Sequence, residues 1–277
     1  MTSRTSQTSQ STVRVAGIVV KWVRGDKEAN YQRVAPLIRE AAAGGAQVVC
    51  TTECFLDGYA IADKSIPLPQ YLALGEVITD GPYYRQLAAL AGELGIYLIA
   101  GMTEADGEVR YNTAVLIGPN GTLIDRYHKQ RLGHELERNT PGATSPVFET
   151  AHGRVGIMIC ADRTQPAIAA ALHAGGAELI IIPSGGAFGP VRNDHYLQSR
   201  SRETGLPIVF VHPAEFLVTG PGGAILACTL VGDRLLVQPD EVGGEHDQSR
   251  VFWYDVPVTR AADTAPATAP AAVAARA

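Results

Sequence analysis

Short apolar runs alternate along this chain with segments whose apolar residues recur at helical spacing. The runs at 13–20, 46–53 and 207–212 are short and almost wholly apolar, and they predict buried strands. The segments at 30–46 and 82–95 have helical spacing, and both contain glycine near their ends, where helices commonly stop. Because wholly apolar strands need cover on both faces, this pattern predicts sheets covered by helices.

The remaining predicted elements place helices between strands early in the chain and cluster the strands late. The tripeptide Pro119-Asn120-Gly121 is a turn signal that joins strands 113–118 and 122–128 into a hairpin. This order argues against an all-parallel barrel. The other predicted strands are 96–101, 154–160, 178–183, 224–228, 234–238 and 251–255, and the other predicted helices are 166–177 and 191–205.

Both ends of the chain have compositions typical of disorder. Residues 1–12 are rich in Ser, Thr and Gln, and residues 259–277 are a low-complexity Ala/Pro/Thr segment. The stretch 13–258 contains no internal repeat and no linker, so we interpret it as one domain. With 46% hydrophobic residues among 277, the chain can build a sizeable core.

Charge and cysteine content argue against several classes of protein. A formal net charge of −5 disfavours nucleic-acid and membrane-surface partners. The longest apolar runs fall short of the roughly 18 residues of a membrane span. The polar N-terminus lacks the apolar core of a signal peptide. Four cysteines are too few for a disulfide framework in a chain of this length. We therefore expect a cytoplasmic protein with free thiols and neither a nucleic-acid nor a membrane partner.

Cys160 lies where the predicted strand 154–160 ends and a polar segment begins. In α/β folds, sites are built at the carboxyl ends of strands, where a thiol is presented outward as a nucleophile must be. The alternative is a core cysteine, since free cysteine is among the most buried residue types. Because a thiol with a pKa of about 8.5 is mostly protonated at neutral pH, a nucleophilic role requires a nearby base or cation.

Two other strand ends carry residues that could serve as that base and that cation. Glu53 ends strand 46–53 and Lys129 follows strand 122–128, although each alone could be an ordinary polar residue at a strand exit. None of the seven histidines lies in a motif typical of papain-like or caspase-like enzymes. The Cys50-x3-Cys54 spacing suggests zinc, but no second Cys/His pair accompanies it. We expect no metal and no cofactor.

These three segments resemble the signature blocks of the nitrilase superfamily of carbon–nitrogen hydrolases. The first block runs from Glu53 to Gly58-Tyr59, the second from Tyr127-x-Lys129 to Pro141-Gly142, and the third from Val155-Gly156 through Cys160-Ala161-Asp162 to Pro183-Ser184. The blocks occur in the family's order and span about 13–240. The resemblance implies an α/β fold of the αββα sandwich type, with two mixed β-sheets flanked by helices. It also implies a homodimer or a higher homo-oligomer.

The resemblance also implies catalytic roles for matched residues. Glu53 is implied as the general base, Lys129 as the cation that stabilises a tetrahedral intermediate, and Cys160 as the nucleophile. The family has a second glutamate between the lysine and the cysteine. Counting forward from the lysine block favours Glu137, whereas counting back from the Pro-Gly pair favours Glu135, and we choose Glu137.

Candidate substrate-binding residues lie near these positions in the sequence. The backbone N–H of Ala161 follows the nucleophile and could bind an oxyanion. Arg163 or Arg192 could bind a substrate carboxylate, with a solvated arginine as the alternative. Other candidates are Tyr59, which could equally be core packing, His134 and His195, which could line or merely cover the cleft, and Gly185 and Gly186, which leave room near the sulfur.

We predict a thiol amidohydrolase that cleaves a carboxamide or N-carbamoyl C–N bond of a small molecule through a thioester. True nitrilases of the family usually carry Cys-Trp-Glu, whereas this chain has Cys160-Ala161-Asp162, so we expect poor turnover of nitriles. Two alternatives are a Cys-dependent acyltransferase, which shares the first half-reaction, and a catalytically silent binding protein on the same fold.

Overall fold

A computed structural model describes residues 9–186, 190–230 and 249–260 of the 277-residue chain. The predicted strand 234–238 and the terminal segments 1–8 and 261–277 lie outside the described residues. Across the part that is described, most predicted elements occur within a few residues of their expected positions. No helix in that part has the length and apolar character needed to cross a membrane.

The described strands form two six-stranded mixed sheets. In chain order the strands are β1 (Ser9–Val19), β2 (Val48–Cys50), β3 (Tyr97–Asp106), β4 (Val109–Ile117), β5 (Leu123–His128), β6 (Val147–Thr150), β7 (Gly153–Ile157), β8 (Leu179–Pro183), β9 (Ile208–His212), β10 (Glu215–Thr219), β11 (Ile225–Leu230) and β12 (Arg250–Arg260). The first sheet has the order β12-β1-β2-β3-β4-β5, and the second has the order β11-β10-β9-β8-β7-β6. Each sheet combines parallel pairs at its centre with antiparallel pairs at its edges.

Helices cover the outer face of each sheet. These helices are α1 (Lys27–Ala43) and α3 (Pro82–Leu94) on the first sheet and α4 (Pro166–Ala174) and α5 (Pro190–Thr204) on the second, whereas the short α2 (Leu68–Ala73) packs through Tyr71 in a separate cluster with Cys54 and Tyr59. Ile38 of α1 and Leu87 of α3 belong to a buried cluster on the first sheet, and Leu172 of α4 and Leu197 of α5 belong to one on the second. The order of layers is helices, sheet, sheet, helices, which confirms the predicted αββα sandwich.

The two sheets face each other across the main hydrophobic core. The position of β2 in the first sheet explains why all three of its residues are apolar. Val48 and Cys50 belong to the cluster between the sheets, whereas Val49 belongs to the cluster beneath α1 and α3. Successive side chains of a strand point to opposite faces. A strand with a sheet on one face and helices on the other must therefore be apolar at every position.

The first and last strands extend a few residues beyond the expected domain boundaries at 13 and 258. β1 starts at Ser9 and pairs in antiparallel register with β12, so that Ser9 lies opposite Arg260. Residues 9–12, expected in a disordered tail, are therefore strand residues. The reason is that ladder hydrogen bonds join backbone groups, so a polar composition does not prevent pairing once a partner strand lies alongside. Three shorter elements, α2, β6 and β10, had no counterpart among the sequence predictions.

The carboxyl ends of β2 and β5 lie at the same edge of the first sheet. β2 is parallel to β3, and two antiparallel pairings, β3 with β4 and β4 with β5, bring β5 back to the direction of β2. Glu53 follows β2 and Lys129 follows β5, so both residues leave the sheet at this edge. The segment after β7 of the second sheet, which carries Cys160, meets them there.

Candidate active site

A buried lysine at this edge bridges two carboxylates. Lys129 Nζ lies 2.6 Å from Glu53 Oε1 and 2.5 Å from Glu135 Oε1, and all three side chains are 2% exposed or less. Glu53 and Lys129 are separated by 76 residues along the chain. The structure thus brings together two of the residues that the sequence placed at separate strand ends, and it adds a third charged group.

The third charged group is Glu135 and not Glu137, so the choice between them made from the sequence was wrong. Both residues belong to one 3₁₀ turn over Gly133–Glu137. Because such a turn has about three residues per revolution, side chains two residues apart point in different directions. Glu135 is fully buried against Lys129, whereas the Glu137 side chain is 70% exposed and pairs with Lys64 at 3.3 Å on the surface.

Asn112, which sequence reasoning missed, joins the two carboxylates from the middle of β4. Its Nδ2 donates to Glu53 Oε1 at 2.8 Å and to Glu135 Oε2 at 2.9 Å. Tyr59 Oη donates to Glu135 Oε1 at 3.2 Å, so this tyrosine holds the second glutamate. The only local signal for Asn112 is an amide side chain at the start of an apolar strand run. Together these bonds fix the carboxylates around the lysine.

Burial and opposite charge act against each other in this cluster. Burial raises the pKa of Glu53, and the nearby Lys129 ammonium partly offsets the increase. Burial alone would lower the pKa of Lys129, but attraction to Glu53, to Cys160 and to Glu135 outweighs it and raises that pKa well above the ordinary value. The lysine therefore stays charged, and Glu53 becomes a stronger base than an exposed carboxylate.

Cys160 begins a 3₁₀ turn, Cys160–Thr164, three residues after β7. Its backbone is in the left-handed region, with φ of 45°, a conformation that is uncommon for a residue other than glycine. Such strained positions cluster at active sites, where the surrounding structure holds them in place. The side chain is 5% exposed.

Asp162 ties the Cys160 turn to the lysine segment of the other sheet. Its Oδ2 accepts the Ile159 N–H at 3.0 Å and the Tyr127 hydroxyl at 2.8 Å. Its Oδ1 accepts the backbone N–H groups of Gln130 at 3.2 Å and of Arg131 at 2.7 Å. One fully buried carboxylate therefore sets the distance between the Cys160 turn and the residues that flank Lys129.

Glycines after β8 form the wall that faces both the carboxylate and the sulfur. A Cβ atom at Gly185 would lie 3.1 Å from Glu53 Oε2, and one at Gly186 would lie 3.5 Å from Cys160 Sγ. Glu53 Oε2 is buried and has no hydrogen-bond partner among the described residues. The free carboxylate oxygen and the sulfur therefore share a space that glycine keeps open.

We expect Gly185→Ala to lower kcat/KM by about tenfold or more, because the added methyl group must displace the free oxygen of Glu53. Gly222→Ala is the matched control, since no atom lies within 4 Å of a Cβ at that glycine. Steady-state assays and thermal melting of both variants test this. Equal activity of the two variants would show that the space beside Glu53 is not used by the substrate.

The structure places the other predicted residues at different distances from this cluster. Arg163 is 3% exposed, which rules out the solvated alternative. His134 is exposed and its ring meets Tyr59 edge-on at 6.2 Å, and His195 is exposed on α5. Ala161 follows Cys160 directly and is partly buried. The side chain of Arg192 lies outside the described residues.

The three cysteines other than Cys160 comprise two buried thiols and one exposed thiol. Cys50 and Cys54 are fully buried, and burial raises the pKa of each thiol. Cys228 is exposed. Across the described ranges, no three His, Cys, Asp or Glu side chains are grouped so that they could hold a metal ion.

Comparison with known proteins gives a consistent family and fold. The family model described as carbon–nitrogen hydrolase matches residues 12–253. Omega-amidase NIT2 from Xenopus tropicalis is 33% identical over 204 residues, with coverage of 68% of this chain and 70% of that protein. Bifunctional nitrilase/nitrile hydratase NIT4A from Lupinus angustifolius is 27% identical over 288 residues, with coverage of 88% and 82%. The crystal structure of Nit3 from Saccharomyces cerevisiae, a member of branch 10 of the nitrilase superfamily, matches with a TM-score of 0.72 and 25% identity, covering 88% of this chain and 90% of that one.

Proposed function

The chain belongs to the carbon–nitrogen hydrolase family, and from that premise we propose that it hydrolyses a carboxamide or N-carbamoyl C–N bond of a small molecule through a thioester on Cys160. The observation that carries the proposal is the buried Glu53–Lys129–Glu135 cluster, whose one free carboxylate oxygen faces the same glycine-lined space as the sulfur. The enzyme is a carbon–nitrogen hydrolase, and the bond type and the residue roles are what we propose.

In the first step, Cys160 Sγ attacks the carbonyl carbon while its proton passes to Glu53 Oε2. An ammonium has three N–H donors, and Lys129 uses two of them on Glu53 and Glu135. Its third N–H is therefore available for the oxygen that becomes negative as the tetrahedral adduct forms. The backbone N–H of Ala161 is the second donor that we assign to that oxygen.

In the second step, Glu53 returns the proton to the leaving nitrogen as the C–N bond breaks. Ammonia or an amine departs and the acyl group stays on Cys160 as a thioester. Water then attacks the thioester carbon and gives a proton to Glu53, the C–S bond breaks to release the acid, and Glu53 returns that proton to the Cys160 sulfur. One carboxyl group acts as base and then as acid in each half of the reaction, a role suited to a carboxylate whose pKa burial has raised.

The acid and base roles assigned to Glu53 favour amides over nitriles. An amide adduct must expel an amine, which requires a proton donor beside the leaving nitrogen, and Glu53 supplies one. The relatives are named both as an amidase and as a nitrilase, so the names alone do not choose between the two. The Cys160-Ala161-Asp162 segment differs from the Cys-Trp-Glu usual in true nitrilases, which also supports the amide.

We expect kcat/KM to be at least about tenfold higher on an amide than on the nitrile with the same side chain, since an amide adduct expels its nitrogen directly with the Glu53 proton, whereas a nitrile forms a thioimidate that must add water before ammonia can leave. Matched amide, N-carbamoyl and nitrile compounds, each with and without a terminal carboxylate, are assayed by ammonia release. Mass spectrometry of trapped enzyme locates the adduct on Cys160. A higher kcat/KM on the nitrile member would overturn the choice of substrate while leaving the cysteine mechanism in place.

A further inference from the structure

Arg163 is a buried cation that no carboxylate neutralises among the described residues. Its Nη1 donates toward Cys160 Sγ at 3.5 Å, and its Nη2 donates to Asn193 Oδ1 at 2.5 Å. Its guanidinium carbon lies 5.8 Å from the centre of the Phe210 ring, and its Nε has no hydrogen-bond partner within the described ranges. Because a buried charge is costly without a counter-ion, this guanidinium requires an anion within the site.

The charges of the neighbouring cluster indicate which anion that is. Glu53 and Glu135 carry two negative charges against the single positive charge of Lys129. The cluster therefore has no positive charge left over to balance an anion at the sulfur. When the proton of Cys160 passes to Glu53, the cluster becomes neutral and the new negative charge lies next to Nη1 of Arg163.

We propose that Arg163 is a catalytic residue of this enzyme, the counter-ion that contacts the Cys160 thiolate and holds it ready for attack. This inference rests on the proposed function, and it assigns to the arginine a contact with the reacting sulfur instead of with a substrate carboxylate. During attack the sulfur lone pair forms the S–C bond and the negative charge moves to the carbonyl oxygen, near Lys129. When water later breaks the C–S bond, the electron pair returns to sulfur beside Arg163.

The neighbouring His212 does not compete for this role. Its Nδ1 accepts the Ala214 N–H at 3.1 Å, so its Nε2 is the protonated nitrogen and donates to the Gly186 carbonyl at 2.6 Å. Burial lowers its pKa to about 4, so the imidazole is neutral at physiological pH. Arg163 is therefore the cation with a direct contact to the sulfur among the described residues.

The rate of Cys160 alkylation by iodoacetamide at pH 7, without substrate, measures this contact. We expect Arg163→Met and Arg163→Gln to lower that rate by about tenfold to a hundredfold, the effect of losing one charge-assisted hydrogen bond. Arg163→Lys, which keeps the charge, should retain more of the rate than either. Arg131→Met is the matched control, because Arg131 is exposed and reaches Asp162 only through its backbone N–H.

Alkylation of Arg163→Gln or Arg163→Met at the wild-type rate, with melting curves showing that the variant is folded, would overturn the inference. If such a variant also has a raised KM for carboxylated substrates only, Arg163 binds a substrate carboxylate instead. The readout needs no substrate. Failure of the enzyme to cleave amides would therefore contradict the proposed function, and the alkylation rates would still test the contact between Arg163 and Cys160.

Discussion

Cys160→Ala is expected to abolish turnover, with kcat reduced by at least about a thousandfold, because no thioester can form without the Cys160 sulfur. The fold should remain, since the Asp162 bonds that position the turn involve the backbone N–H of Ile159 and groups outside Cys160. Ammonia release and thermal melting measure the two effects. Cys228→Ala, at an exposed cysteine, is the control and should keep full activity.

The same cysteine should be the one that a thiol reagent modifies first. Cys50 and Cys54 are buried and their thiols have raised pKa values, so neither forms a thiolate readily. The Cys228 thiol donates to Glu215 Oε1 at 3.7 Å, a contact with a carboxyl group instead of with a cation. Peptide mapping after brief alkylation distinguishes the four sites. Full activity of Cys160→Ala would contradict the whole functional assignment.

Lys129→Met is expected to lower kcat by about a hundredfold or more and also to destabilise the fold. The oxyanion loses its cation, and Glu53 and Glu135 become two buried carboxylates with no ammonium between them. Breaking a buried ion pair from one side typically costs about 3–5 kcal/mol. Steady-state kinetics and thermal melting measure these two losses.

The stability loss in Lys129→Met should depend on pH with a definite sign. Without the ammonium, burial raises the folded-state pKa of Glu53 above its unfolded value with no cation to offset the increase, so the folded protein binds more protons than the unfolded chain. The variant is therefore more stable at pH 5.5 than at pH 8, and its melting temperature should fall as pH rises between them. Lys64→Met is the control, since Lys64 pairs with Glu137 at the surface.

Lys129→Arg should restore little activity, although it restores the charge. A planar guanidinium presents its donors in a fixed fork and does not replace a compact ammonium among two carboxylates and an oxyanion. Near-normal activity of Lys129→Met would show that this lysine does not stabilise the transition state and that the assigned mechanism is wrong.

Local signals in the sequence were enough to predict the layers of the fold and to locate three residues to which we assign chemistry. Strands such as β8 and helices such as α4 follow from apolar period and from proline and glycine signals, which act over a few residues. Glu53, Lys129 and Cys160 were located because each follows an apolar strand and because their segments match family blocks. Both kinds of signal are local, so they can be recognised without knowing which segments contact each other in the fold.

The identity of the groups that surround those residues became clear only from the packing of distant segments. Glu135 instead of Glu137 depends on which way one 3₁₀ turn faces, and Asn112 matters because β4 lies between segments that are distant in sequence. A solvated surface position for Arg163 was one of the two alternatives open from the sequence. In the fold, contacts with Asn193 of α5 and Phe210 of β9 bury its side chain.

Asp162 illustrates the physical reason most directly. Its carboxylate joins the turn after β7 of one sheet to the segment after β5 of the other, across more than 30 residues of chain. Periodicity records which face of its own element a residue occupies, but it carries no information about what approaches that face from another element. The distances and charges within the Glu53–Lys129–Glu135 cluster and beside Cys160 arise from that approach, and so they depend on how the two sheets pack.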